Sequence, residues 1–415
     1  MKELSITPKG SYILPLAIIS ILFFVIGFGV GISGFLTPFL QDAFKLSISQ
    51  SYLVTAAIFS AFVLFGAPAG FIIKKVGYKN GMIIAFFIMA LGMALFVPSS
   101  KMISFPLFLL ALFIGGIGNT VLQASVNPYV TIIGPKESAA MRMSLMGIMN
   151  KSAWWLSSLF LGFFMNLKDV KLNDVIVPFY IVTIILFGLG IFMIFAPFPE
   201  VKAEGEDDSD GTLVTGNIRN KTSIFQFPHL LLGVLALFIY VGVETLPMVS
   251  IIGFAKTIFG DTAKNLDNFS LYVPLGLVLG YLFGVVLIPK YLSQTSALRL
   301  FSCIGIISAT LLIFMPGELA IYSMALIGFA NSLMWPAIWP LAIADLGKFT
   351  KTGASLLVMG IVGGAVLPII FGFLVDSFKS TEIATVADYQ NAYWIFIPAY
   401  LYILHFALYG NKIRK

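Results

Sequence analysis

The chain has 415 residues, of which 59% are hydrophobic and only 11% charged, with mean hydropathy +0.98. A soluble domain of this length needs far more charge to cover its surface. Apolar runs recur along the whole sequence and so predict an all-α, multi-pass membrane protein, not a barrel of short alternating strands. The net charge of +6 does not imply nucleic acid, because the basic residues are spread over loops, as membrane topology requires.

Met1 to Lys9 is polar. The apolar run from Tyr12 is too long for a signal peptide and lacks a small-residue cleavage site, so it reads as a retained first span. Twelve spans are expected, at 12–40, 48–74, 80–98, 104–132, 139–166, 176–197, 228–257, 269–289, 297–315, 319–345, 352–375 and 389–410. Prolines such as Pro128, Pro247, Pro336 and Pro340 are expected to kink or end helices. The segment 199–225 carries EGEDDSDG (Glu204 to Gly211) without apolar periodicity and reads as a solvated cytoplasmic linker. The expected domains are therefore a six-helix bundle at 1–198, the linker, and a second six-helix bundle at 226–415. With both termini cytoplasmic, 17 Lys and Arg fall on the cytoplasmic side and 7 on the outer side. That excess supports the orientation, in an inner (cytoplasmic) membrane. Lys151 is left inside span five, and Glu244 is the one acid well inside a span.

Shifting the sequence by 212 residues places Gly116 on Gly328, Asn119 on Asn331 and Pro128 on Pro340. Spans four and five thus echo spans ten and eleven in the same order, which predicts two parallel, pseudo-twofold-related bundles with a site at their interface. The stretch Gly115 to Gly134 carries Asn119, Gln123 and Asn127 at i, i+4 and i+8, one stripe on a helix. Lipid does not solvate amides, so the stripe should face protein or a water-filled cavity. The repeat sets it against Asn331, Trp335 and Trp339. Amides for hydroxyls and flat rings for C–H faces suit a pyranose. The alternative for the tryptophans is packing or anchoring at the membrane interface.

Seven stretches resemble one family. They are LFFVIGFGVGISGFLTPFL (Leu22 to Leu40), GFIIKKVGYKNG (Gly70 to Gly81), ASVNPYVTIIGPKESAA (Ala124 to Ala140), MGIMNK (Met146 to Lys151), YVGVE (Tyr240 to Glu244), GYLFGVVLIPKYLSQ (Gly280 to Gln294) and WPLAIADLGKFTKTGASLLVMGIVGGAVLP (Trp339 to Pro368). In this order the chain resembles the fucose:proton symporter group of the major facilitator superfamily, in its glucose/galactose transporter branch. The resemblance implies the major facilitator fold and sugar transport, with Asn150 as a sugar contact. It also shows departures. Where proton-coupled fucose members carry an acid in span one and a Glu in span four, this chain has Gly34 and Gln123, and the fucose-type Arg of span eight is Tyr281.

The candidate substrate-binding residues are therefore Asn119, Gln123, Asn127, Asn150, Glu244, Asn331, Trp335 and Trp339. Glu244 and Lys151 are the candidates for cation coupling. A lone charge at bilayer depth costs at least about 2.5–3.5 kcal/mol, so each needs a partner or water. A static ion pair between them is the structural alternative. His229, His405 and Cys303 lack co-ligands at metal-binding spacing, and Cys303 reads as a buried thiol. No HExxH, P-loop or nucleophile elbow appears, so neither enzyme chemistry, a resident metal nor a cofactor is expected. The expectation is a monomer, bound to lipid and not to nucleic acid, that moves a hexose by alternating access, coupled to Na+ or H+. Uniport is one alternative. Export of small hydrophobic compounds on the same fold is the other.

Overall fold

The computed structural model describes residues 13–44, 48–164, 174, 176–202, 221–260, 266–380 and 383–413. The polar start Met1 to Lys9 and the acidic tract Glu204 to Gly211 lie outside them. All regular structure among the described residues is helical.

The first half of the chain forms α1 (Ile13–Ala43), α2 (Ile48–Lys101), α3 (Phe105–Ile132), α4 (Ala139–Phe164) and α5 (Ile176–Phe195). The second half forms α6 (Pro228–Phe259), α7 (Tyr272–Leu287), α8 (Gln294–Phe314), the single turn α9 (Gly317–Ala320), α10 (Ser323–Asn331) and α11 (Met334–Ile343). It continues with α12 (Thr350–Gly360), α13 (Gly363–Phe378), α14 (Val386–Ala392) and α15 (Phe396–Leu408). Helix thus stands at each of the twelve expected spans. Nine helices among the described residues are long and apolar enough to cross a membrane.

Spans two and three differ from expectation. They form one helical run, α2, interrupted by the single non-helical residue Gly77 (φ 85°, ψ 172°) in place of a loop. A positive φ is cheap only for glycine, which is why the direction changes there and not at Pro68 or Pro98. Span ten breaks at Ser332–Leu333 for a different reason. Pro336 has no N–H to donate to the carbonyl of Ser332, and its ring crowds that carbonyl, so the helix ends and restarts as α11.

The chain divides into two compact units. One is Met1–Ala139, Met149–Arg219 and Asp345–Val358; the other is Ala140–Ile148, Asn220–Ala344 and Met359–Lys415. In the first unit α2 packs along α3 and α5. The approach of α3 to α2 is close because small residues line it: a Cβ on Gly118 would meet the Met89 backbone nitrogen at 2.7 Å and Ala85 O at 2.8 Å. In the second unit α6 is the hub, packed by α10, α11, α13 and α15. Large apolar side chains such as Ile184, Phe187, Phe192 and Phe195 on α5 are exposed, as a lipid-facing helix surface requires. Cys303 was expected to be buried, yet it is exposed on α8. An apolar stretch cannot by itself distinguish a lipid-facing position from a core one.

Candidate functional site

The amide stripe on α3 forms as the spacing predicts. Asn119 and Gln123 are buried, and Gln123 Nε2 donates to Asn119 Oδ1 at 3.3 Å. Asn127 is wholly buried, and neither its Nδ2 nor its Oδ1 has a hydrogen-bond partner among the described residues. Leaving such a group unsatisfied costs roughly 1–3 kcal/mol. The stripe is therefore half self-satisfied and half open.

Asn150 and Lys151 sit half-buried on α4. Asn150 Nδ2 donates to Phe23 O on α1 at 3.3 Å. The helices touch there because Gly27 has no side chain; a Cβ on it would strike the carbonyl of Asn150. The Asn150 amide thus ties α4 to α1 through its nitrogen. Lys151, the next residue, points about 100° away round the helix.

In the other unit, Glu244 is half-buried on α6. It clusters with Tyr240, one turn earlier on the same helix, and with Tyr281 on α7; the Tyr240 hydroxyl is buried and makes no hydrogen bond among the described residues. Tyr281 is let in by Gly147, whose Cβ would meet the ring at 2.5 Å. Trp335 and Trp339 stack at 5.3 Å between ring centroids, 28° apart, and Tyr240 lies 6.2 Å from Trp335. Trp339 is wholly buried, with no partner for its Nε1 among the described residues, whereas Trp335 is half-buried.

Asn331 is placed differently from the other candidates. It is wholly buried and both ends of its amide are occupied: Nδ2 donates to Val243 O at 3.0 Å, and Oδ1 accepts from Tyr400 Oη at 3.0 Å. Sequence reasoning missed Tyr240 as part of the site. The i to i+4 spacing of Tyr240 and Glu244 was the available signal. Nothing in the sequence pointed to Tyr400. Among the described residues, no group of three or more His, Cys, Asp or Glu comes together to hold a metal.

The sequence matches the Major Facilitator Superfamily over residues 19–357. The chain belongs to that superfamily. This facilitator is an integral membrane transporter and not an enzyme. It is 30% identical over 413 residues to the glucose/galactose transporter of Brucella abortus, covering 97% of this chain and 96% of that one. It is 28% identical over 390 residues to the L-fucose-proton symporter of Escherichia coli, covering 88% of each. Among solved structures it is similar to the transporter FucP in the outward conformation, with a TM-score of 0.82 and 27% identity, covering 97% of this chain and 99% of that one.

Proposed function

We propose that this facilitator carries a hexose of the glucose/galactose type across the inner membrane by alternating access, as a cation-coupled symporter. The observation that carries the reading is the amide stripe. Asn119, Gln123 and Asn127 line one face of α3, and Asn127 holds two buried hydrogen-bonding atoms with no partner among the described residues. A polyhydroxylated solute supplies both donors and acceptors to such a face, while the Trp335–Trp339 stack offers flat apolar surface for sugar C–H groups. The similarity to a glucose/galactose transporter and a fucose symporter supports a sugar as the cargo.

Coupling needs a cation that binds one state better than the other. Glu244, set among Tyr240 and Tyr281, supplies the carboxylate, and Lys151 is the second charge at bilayer depth that the coupling reading uses. Gln123 stands where the fucose-type pattern has an acid, so the α3 stripe serves the sugar and leaves the ion to Glu244. The test is uptake of radiolabelled glucose, galactose, N-acetylglucosamine and fucose into proteoliposomes, with sodium and pH gradients imposed separately. Accumulation of glucose or galactose under one of the two gradients is expected, and Glu244→Gln should abolish accumulation. Equal uptake with and without gradients would make the protein a uniporter. Normal accumulation by both Glu244→Gln and Lys151→Ala would remove those residues from coupling. Uptake of hydrophobic dyes and no sugar would favour the exporter.

A further inference from the structure

Proline 247 lies inside α6. In an α-helix the N–H of residue 247 would donate to the carbonyl of residue 243, and proline has none. Inside a bilayer a carbonyl left without a donor is costly, because neither lipid nor water replaces the bond. The carbonyl in question is that of Val243, the residue before Glu244. It is the carbonyl that Asn331 Nδ2 reaches, 3.0 Å away, from the end of α10. Asn331 itself comes from the point where span ten breaks before Pro336. One interrupted helix thus supplies the donor that the other lacks.

The amide is fixed in its orientation. A backbone carbonyl can only accept, so the nitrogen must face Val243 and the oxygen must face Tyr400, whose hydroxyl donates to it at 3.0 Å. All three groups are buried. Beside this bond, α6 is held at close range by α13. A Cβ on Gly363 would collide with Phe238 O, and one on Gly242 would meet Leu367 Cβ at 2.7 Å. The segment of α6 that carries Tyr240 and Glu244 is therefore held by α13 as well as by Asn331, and the Asn331 amide is its only side-chain hydrogen bond to the backbone at the proline gap among the described residues.

We infer that Asn331 is a positioning residue and not a sugar contact: it replaces the helix bond that Pro247 removes from Val243 and so sets where α6 holds Glu244. Tyr400 orients the amide that does this. The role in transport rests on the assignment of Glu244 made above, whereas the repair of the helix bond does not.

A double-mutant cycle separates the two. Asn331→Leu removes the donor, and Pro247→Ala restores the missing N–H. The midpoint of thermal unfolding of the purified protein in detergent is read for wild type, each single variant and the pair. Asn331→Leu should lower the midpoint in the wild-type background and lower it clearly less in the Pro247→Ala background. An equal drop in both would overturn the repair. Counterflow of labelled D-galactose, expressed per folded transporter, gives the second readout. Asn331→Leu should cut turnover on the order of tenfold with KM within about twofold, and Tyr400→Phe should do the same more mildly. A raised KM at unchanged turnover would make Asn331 a sugar contact and overturn the positioning role. If Asn331→Leu does not fold, Tyr400→Phe alone decides, by the same split between turnover and KM. Absence of galactose counterflow in the wild type would remove the positioning role together with the transport reading, and the thermal cycle would still decide the repair.

Discussion

Asn127 is the residue whose surroundings ask most directly for a ligand. A buried amide with two idle atoms destabilises the empty protein, and it is tolerated where binding recovers the cost. Substitution should therefore separate stability from function. Asn127→Leu is expected to leave the thermal midpoint of the sugar-free protein unchanged or higher and to raise KM for galactose roughly tenfold, equivalent to one lost hydrogen bond of about 1.4 kcal/mol. A lower midpoint with an unchanged KM would make Asn127 a helix cross-link instead. The pair Asn127 and Asn331 also shows what a sequence can say about single residues. Both were legible as amides inside apolar helices. Their roles were not, because they depend on partners far along the chain: Asn331 meets Val243 across 88 residues and Tyr400 across 69. The spacing that marks a polar stripe says nothing about which of its atoms are already used.

Among the elements, α2 carries the sharpest local device. At Gly77 the helix turns with φ 85°, and the next two backbone N–H groups point at one carboxylate. Glu200, just past the end of α5, accepts from Tyr78 N at 2.6 Å and from Lys79 N at 3.1 Å. It caps the restarted helix from a distance, where the positive end of the helix dipole favours an anion. Lys79 completes the exchange by donating through Nζ to Ala196 O at 2.8 Å and Ile194 O at 3.3 Å, carbonyls at the end of α5. Tyr129 adds a bond from its hydroxyl to Pro199 O at 2.7 Å. Gly77→Ala should cost about 1–2 kcal/mol through the positive φ, and Glu200→Ala about 1 kcal/mol through the lost cap, each read as a lower thermal midpoint. Turnover per folded transporter should stay within twofold. No change in midpoint for either variant would contradict the capping account. The basic loop motif Gly70 to Gly81 was visible in the sequence, but the capping carboxylate was not, since it lies 121 residues further on, at the edge of a stretch read as linker.

At the scale of the molecule, most of the architecture was written in composition. Long apolar runs gave the helices, because bilayer thickness sets span length and leaves few alternatives. What the runs could not show was where one helix passes into the next without a loop, as at Gly77, or which apolar face meets lipid, as at Cys303. Membership of the Major Facilitator Superfamily places the chain among transporters, and the central claim is that its cargo is a sugar. Counterflow tests that claim with no ion gradient and no assumption about coupling. Proteoliposomes are loaded with unlabelled galactose or glucose and diluted into a trace of the labelled sugar. A transient overshoot of label is expected, inhibited by the other sugar and strongly reduced by Trp335→Ala. Absence of an overshoot with either sugar, in vesicles whose protein is monodisperse and folded, would contradict the account.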